Sequence, residues 1–130
     1  MVYTFAMRAN QSLIVFAALN GAMSVAVGAF AAHGVEAHQA ALLTTGGHYQ
    51  MVHAVLAAAI GFWSGAGRLG RIAGWVAASG GLVFCLALTL LALAGLRFMG
   101  AVAPIGGSLM ILGWLMLAAH AVRRTIPHTA

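Results

Sequence analysis

Hydrophobic residues gather into four long stretches along the chain, and polar residues fall mainly between them. The stretches cover residues from about 11 to 32, 47 to 64, 72 to 95 and 100 to 122. Each approaches the length of about 20 residues that an α-helix needs to cross roughly 30 Å of hydrocarbon. Two of the three connections are short, which makes consecutive helices antiparallel neighbours. The pattern predicts an all-α membrane protein, a single domain over residues 1–130 in which four transmembrane helices form a bundle.

The longest connection, residues 33–46, mixes apolar and polar positions. Within it, Val35–Leu43 has the length of a short helix, with Leu43 among its apolar residues and Glu36 among its polar ones. A helix with both kinds of residue can lie in the membrane interface. We therefore expect a short surface segment between spans one and two.

The composition supports a membrane protein and excludes other classes. Hydrophobic residues make up 63% of the chain and charged residues 5%, against roughly a quarter charged in a typical soluble domain. Such a composition excludes a soluble globular enzyme and a disordered chain. The net charge of +5 comes from scattered Arg residues, without a basic cluster. Nucleic acid is therefore not an expected partner, whereas the lipid bilayer is.

The Arg residues are distributed unevenly between the two sides of a four-span topology. One side carries Arg8, Arg68, Arg71, Arg123 and Arg124. The other side carries Arg97 and Glu36, whose charges cancel. The positive-inside rule places the Arg-rich side in the cytoplasm. The prediction is a multi-pass protein of the inner (plasma) membrane with both termini cytoplasmic.

A cleaved signal peptide is the alternative to the first span. Arg8, the apolar run Leu13–Val27 and the small residues at Ala29-Phe30-Ala31 are typical of such a peptide. The apolar run is long for a signal, which favours a span. Cleavage would leave three spans.

Small residues recur on single faces of the predicted helices. They are Asn20, Gly21, Ser24 and Gly28 in span one and Gly74 and Gly81 in span three. Small side chains let helix backbones approach closely in lipid, and Ser or Asn can form hydrogen bonds between helices. We expect these residues to pack the bundle tightly.

His53 lies inside span two, where an ionisable side chain is expensive and marks a candidate functional position. Tyr49 and Gln50 precede it by four and three residues, about one helical turn. This cluster could bind a polar headgroup, a quinone oxygen or a proton. Equally, a neutral His53 could form a hydrogen bond with a neighbouring helix and fix its register. The candidate ligand-binding residues on this outer side are His33, Tyr49, Gln50, His53, Pro104, Gly106 and Gly107.

The same side also carries residues that could ligate a metal. His33, Glu36 and His38 are residue types that ligate transition metals, but they would need an irregular loop to converge. His48 and His53 are five residues apart, about 140° around a helix, and do not share a face. We predict no metal site and no cofactor.

Several short motifs occur in order along nearly the whole chain. They are Ala32-His33-Gly34, Thr45-Gly46-x-x-Tyr49-Gln50-x-x-His53, Leu96-Arg97, Pro104-Ile105-Gly106-Gly107 and Gly113-Trp114. In this order and spacing they resemble the YgdD family, domain of unknown function 423. The resemblance implies a four-helix inner-membrane protein and supplies no activity. Where the family often has a polar stretch in span three, this chain has Phe84–Thr89, so most of that feature is absent.

Small size and helices rich in packing residues favour a non-enzymatic accessory or stabilising subunit of a membrane complex, or a homo-oligomer. A lipid- or quinone-type binding protein that uses Tyr49, Gln50 and His53 is the alternative. A small transporter or proton pathway is a further alternative, although no inverted repeat is evident. An enzyme is not expected, because the chain has a single acidic residue and lacks a nucleophile with its base.

Overall fold

The computed structural model describes residues 9–125, and this part of the chain forms four α-helices. They are α1 (Gln11–His33), α2 (Ala37–Phe62), α3 (Gly67–Ala94) and α4 (Met99–Thr125), with a 3-10 turn at Ser64–Ala66. The all-helical prediction is confirmed. Three segments are long and apolar enough to cross a membrane: Gln11–His33, Ser64–Ala94 and Met99–Thr125.

α2 differs from the other helices in its hydropathy and not in its length. It has 26 residues, which correspond to about 39 Å of helix. Its polar residues lower its mean hydropathy, yet two of them, Gln50 and His53, are buried. These two side chains face the inside of the bundle. The hydropathy averaged over all residues of α2 therefore understates how apolar the outer surface of the helix is.

The structure corrects the expectation of a separate surface segment at Val35–Leu43, because α2 begins at Ala37 and continues without a break to Phe62. Oε1 of Gln39 accepts a hydrogen bond from the backbone N–H of Glu36 at 3.2 Å, which caps the helix start. Nε2 of the same side chain donates to the carbonyl of Ala92 on α3 at 3.1 Å. Gln39 therefore holds the first turn of α2 against the end of α3 and leaves no separate surface helix.

Gly46 and Gly47, at the predicted start of span two, lie well inside α2 and pack against neighbouring helices. A Cβ added at Gly46 would lie 3.1 Å from Cα of Cys85 on α3. A Cβ added at Gly47 would lie 3.3 Å from the carbonyl oxygen of Ser24 on α1. Glycine at these positions lets α2 approach both neighbours. The helix continues through them and begins at Ala37, ten residues before the predicted start.

Consecutive helices pack as antiparallel neighbours, as the short connections predicted. α2 packs between α1 and α3, and α3 packs between α2 and α4. α1 also reaches α3, where the rings of Phe16 and Trp75 stack with centroids 5.0 Å apart. The core of buried apolar residues on α1 and α2 includes Leu13, Ala57 and Ile60.

The closest helix approach lies between α3 and α4. A Cβ added at Gly106 would lie 2.6 Å from the backbone nitrogen of Phe84, and one added at Gly80 would lie 2.7 Å from the carbonyl oxygen of Gly106. Two turns further along α4, a Cβ at Gly113 would lie 2.6 Å from Cβ of Ala77. The backbones are in direct contact here, which only small residues allow.

The antiparallel arrangement separates the charges of the described residues between two ends. Arg68 and Arg71 at the start of α3 share one end with Arg123 and Arg124 at the end of α4. Arg97 and Glu36 lie at the other end. Arg8, which belongs to the predicted Arg-rich side, lies outside the described residues.

Candidate binding cleft

A cleft of about 560 Å³ opens between α2 and α4, with α3 as its floor. Its lining residues are Thr45, Tyr49, His53, Phe84, Gly107, Met110, Ile111 and Trp114. This volume falls within the range of about 300–1,000 Å³ that is usual for small-molecule sites. The lining is mostly apolar and aromatic, with a small number of polar groups.

His53 and Trp114 form the polar contact of the cleft. The indole Nε1–H of Trp114 donates a hydrogen bond to Nε2 of His53 at 3.0 Å. Nδ1 of His53 lies 2.6 Å from the backbone carbonyl oxygen of Tyr49. Indole N–H can only donate and a carbonyl can only accept, so Nδ1 carries the proton and Nε2 is the acceptor. The two contacts together therefore select the neutral Nδ1–H tautomer.

Aromatic rings form the wall around this pair. The ring of Trp114 meets the imidazole of His53 edge to face, with centroids 6.0 Å apart. Tyr49 meets Phe84 in the same geometry at 5.4 Å. Tyr49 and Trp114 remain 46% and 45% exposed, whereas His53 is 4% exposed. The cleft thus has a buried polar base and aromatic edges that face outward.

Gln50 belongs to a second polar contact, which joins α2 to α1. Its Nε2 donates to Oδ1 of Asn20 on α1 at 2.9 Å, and Nδ2 of Asn20 donates to the carbonyl of Phe16. The predicted cluster is therefore divided, with His53 directed toward α4 and Gln50 toward α1. Gly81 of α3 lies between them, since a Cβ there would lie 3.3 Å from Cα of Gln50 and 3.4 Å from Cβ of His53.

The depth of the cluster also differs from the expected outer position. Asn20, Gln50, Gly81 and Trp114 each lie near the middle of their helices. The early start of α2 is the cause, because it moves His53 from the second turn of the helix to its centre. The polar contacts thus form a layer across the middle of the bundle.

The structure brings three of the predicted ligand-binding residues into the cleft, namely Tyr49, His53 and Gly107. The other predicted residues lie elsewhere. His33 is exposed at the end of α1, and Pro104 is exposed inside α4, where its carbonyl accepts a hydrogen bond from Ser108. Gly106 is buried in the contact between α3 and α4, so a ligand could not reach it.

The predicted packing residues also divide into two groups. A Cβ added at Gly74 would lie 2.9 Å from Leu13, and Gly81 is similarly tight, so both lie in close helix contacts. Gly21 and Gly28 have no atom within 4 Å of an added Cβ. Gly21 lines a groove between α1 and α2, and the close approach of α1 to α2 lies at Gly47 instead.

The residue that sequence reasoning missed is Trp114, which the sequence analysis names only as part of the Gly113-Trp114 motif. Phe84 and Met110 of the lining were also not predicted. The Gly113-Trp114 pair provided a signal for a position of Trp114 near a helix contact. Gly113 lies where α4 packs closely against α3, and Trp114 is the next residue along the helix. Pairing Trp114 with His53 requires knowledge of the rotation of both helices.

The described residues contain no group of three or more His, Cys, Asp or Glu side chains that could hold a metal ion. The cleft therefore offers apolar surface, aromatic faces, the hydrogen-bonded His53–Trp114 pair and the hydroxyl-bearing side chains of Thr45 and Tyr49. Such a site is suited to binding and orienting a largely apolar molecule.

Comparison with known proteins gives the same assignment as the motifs. Residues 27–107 match the family described as Protein of unknown function (DUF423). A UPF0382 membrane protein of Staphylococcus saprophyticus is 41% identical over 109 residues, which cover 80% of this chain and 91% of the relative. UPF0382 membrane proteins of Staphylococcus aureus and Staphylococcus epidermidis are 37% and 39% identical, each over 80% of this chain and 89% of the relative. No solved structure matches the chain. The resemblance inferred from the motifs is confirmed: the chain is an integral membrane protein that belongs to the DUF423 family.

Proposed function

We propose that this protein is a non-enzymatic binding protein that holds a largely apolar molecule in the cleft between α2 and α4. The observation that carries the proposal is the position of the cleft. It is a space of about 560 Å³ beside the middle of the bundle, with the buried ring of His53 at its base, hydrogen-bonded to the half-exposed indole of Trp114. The cleft opens outward, since Tyr49, Ile111 and Trp114 at its edges are about half exposed or more, so a molecule can enter it from the surrounding lipid.

The proposal places all four helices across the inner membrane. α2 packs against α1 and α3 from Gly47 to Gly61, so it occupies the same depth as helices that are apolar enough to span. Its buried polar residues face neighbouring helices, which is the usual arrangement for polar groups in spanning helices. With both termini in the cytoplasm, the end with Arg68 and Arg123 lies on the cytoplasmic side.

Gly107 offers a direct test of the cleft. It lines the cleft, and an added Cβ meets no atom within 4 Å. Gly107→Leu therefore fills the cleft without displacing a helix. Gly100→Leu is the matched control, because Gly100 lies on the same helix, is equally open and does not line the cleft.

The measurement is native mass spectrometry of protein extracted from membranes in mild detergent. The proposal expects a bound small molecule in the parent protein and in Gly100→Leu, and its loss in Gly107→Leu. An adduct that persists unchanged in Gly107→Leu, or a parent protein with no adduct, would contradict it.

An accessory or stabilising subunit, or a homo-oligomer, is the second candidate. It is supported by Gly28 on α1, where an added Cβ would meet no atom within 4 Å. A helix of another subunit or of a second copy could approach closely at this position. Gly28→Leu should then shift the mass of the complex in mild detergent to that of a single chain, and an unchanged mass would reject this candidate.

A further inference from the structure

We propose that the cleft recognises a hydroxyl group on a long apolar molecule, and that the His53–Trp114 pair is the recognition element. This inference rests on the proposed function of the cleft. It goes further by naming the chemical group that the ligand presents. The argument starts from which atoms of the pair are donors and acceptors.

The pair presents one donor and one acceptor to the same space. Nδ1 of His53 is engaged by the carbonyl of Tyr49 at 2.6 Å, so its lone pair at Nε2 is directed to Trp114. The indole N–H of Trp114 supplies the matching donor at 3.0 Å. Both side chains line the cleft. Beside the hydroxyl-bearing side chains of Thr45 and Tyr49, a ligand that enters here therefore meets one group of this pair that accepts and one that donates.

A hydroxyl group satisfies both of these groups at once, because it carries a hydrogen and two lone pairs. Inserted between the two rings, it donates to Nε2 of His53 and accepts from Nε1–H of Trp114. One hydrogen bond is then replaced by two. A carbonyl or ether oxygen accepts from Trp114 but leaves the acceptor of His53 unpaired in a buried position, which is unfavourable.

The geometry allows this insertion. Two hydrogen bonds of ordinary length through one oxygen require the nitrogen atoms to separate to about 4.5–5 Å. His53 is held by its backbone contact, so Trp114 is the side chain that moves. It is 45% exposed on the surface of α4, and the residue before it, Gly113, carries the close contact with α3. The indole can therefore shift outward while the helix stays in place.

The remainder of the cleft determines the body of the ligand. Phe84, Met110 and Ile111 present apolar surface, and the described residues that line the cleft include no charged side chain. A charged headgroup would lose its hydration without a counter-ion here. The ligand class is therefore an uncharged long-chain or isoprenoid alcohol, or a phenol, taken from the bilayer.

The test compares two probes that differ in one hydrogen-bond donor, 1-hexadecanol and its methyl ether. The protein carries Trp63→Phe and Trp75→Phe, so that Trp114 is its single tryptophan. Binding in mild detergent is followed by the fluorescence of Trp114. An additional hydrogen bond of ordinary strength predicts about tenfold tighter binding of the alcohol than of the ether.

A His53→Phe variant removes the acceptor and retains a ring of similar size. The preference for the alcohol should fall to about one, while binding of the ether remains and shows that the cleft is still folded. His53→Gln, whose side-chain carbonyl also accepts, should retain part of the preference.

The two proposals fail in different ways. If alcohol and ether bind equally to the parent protein and Gly107→Leu abolishes both, the cleft binds ligands but the hydroxyl inference is wrong. If neither probe binds, or if Gly107→Leu has no effect on either, the proposed function fails and the inference falls with it. An alcohol preference that persists in His53→Phe would also overturn the inference, since recognition would then lie elsewhere.

Discussion

Nε2 of Gln50 donates a hydrogen bond to Oδ1 of Asn20 across 2.9 Å, and both side chains are at most 3% exposed. The bond joins α1 to α2 near the middle of both helices. Oε1 of Gln50 has no partner among the described residues. Each amide thus depends on the other, because few other groups at this depth can satisfy it.

The first prediction follows from this dependence. Asn20→Ala removes the acceptor and leaves Nε2 of Gln50 buried and unpaired, which should lower the free energy of unfolding by about 1–3 kcal/mol. Replacing both residues by Leu removes both polar groups and should be less harmful than Asn20→Ala alone. Chemical unfolding in detergent micelles measures the difference. Ser108→Ala, which alters an exposed hydroxyl on α4, is the control, and an Asn20→Ala variant as stable as this control would contradict the prediction.

The second prediction concerns two adjacent glycines with opposite surroundings. An added Cβ at Gly106 would lie 2.6 Å from a backbone nitrogen of α3, whereas one at Gly107 meets nothing within 4 Å. Gly106→Ala should force α3 and α4 apart and lower stability by about 1–3 kcal/mol. Gly107→Ala should be neutral or gain up to about 1 kcal/mol from its better helix propensity. Thermal unfolding followed by circular dichroism checks both, and equal effects of the two changes would show that the contact between α3 and α4 is looser than described.

The third prediction concerns topology. Reporter fusions after Ala130 and within the linker Gly34–Glu36 should lie on opposite sides of the membrane, because three proposed spans, α2, α3 and α4, lie between them. The linker is the suitable insertion point since α2 already begins at Ala37, and an insertion into its first turn would disturb the helix. Reporters on the same side would show an even number of crossings between the two points and would contradict the four-span topology, with α2 as the helix that does not cross.

Hydropathy predicted much of this fold. The four apolar stretches correspond to the four helices, and the short connections correctly predicted antiparallel neighbours. The start of α2 was misplaced because Gly46 and Gly47, preceded by two threonines, look like a turn in the sequence. In the structure both glycines are packed against neighbouring helices. Sequence cannot separate these two uses of glycine without knowing which helices are in contact.

The candidate site was predicted less well, for a related reason. Helical spacing placed Gln50 and His53 near one face of α2, which is correct. Which neighbouring helix each side chain meets depends on Gly81 of α3, which packs against α2 between them. A Cβ added at Gly81 would lie 3.3 Å from Cα of Gln50. Gln50 then reaches α1 and His53 reaches α4. The partner residues Asn20 and Trp114 are 30 and 61 positions away along the chain, so local spacing carries no information about them.

The last prediction concerns the turn at Ser64–Ala66, where one carbonyl receives two donors from α4. The carbonyl oxygen of Gly65 lies 2.9 Å from Nε2 of His120 and 3.0 Å from NH1 of Arg124. The guanidinium of Arg124 also lies over the ring of Trp63, 5.3 Å from its centroid. Because either donor alone satisfies the carbonyl, His120→Ala and Arg124→Ala should each have a small effect. Both changes together should leave the turn without its connection to α4.

Hydrogen exchange of the amides in this turn separates the two cases. The double variant should exchange about tenfold faster than the parent, which corresponds to about 1.4 kcal/mol of lost local stability. The product of the two single effects should be smaller than this, since the remaining donor compensates in each single variant. Arg123→Ala is the matched control, because it removes the same charge from an exposed neighbouring position and should leave the exchange rate unchanged. If Arg123→Ala accelerated exchange as much as the double variant, the general positive charge of this end would hold the turn in place of the two hydrogen bonds to Gly65.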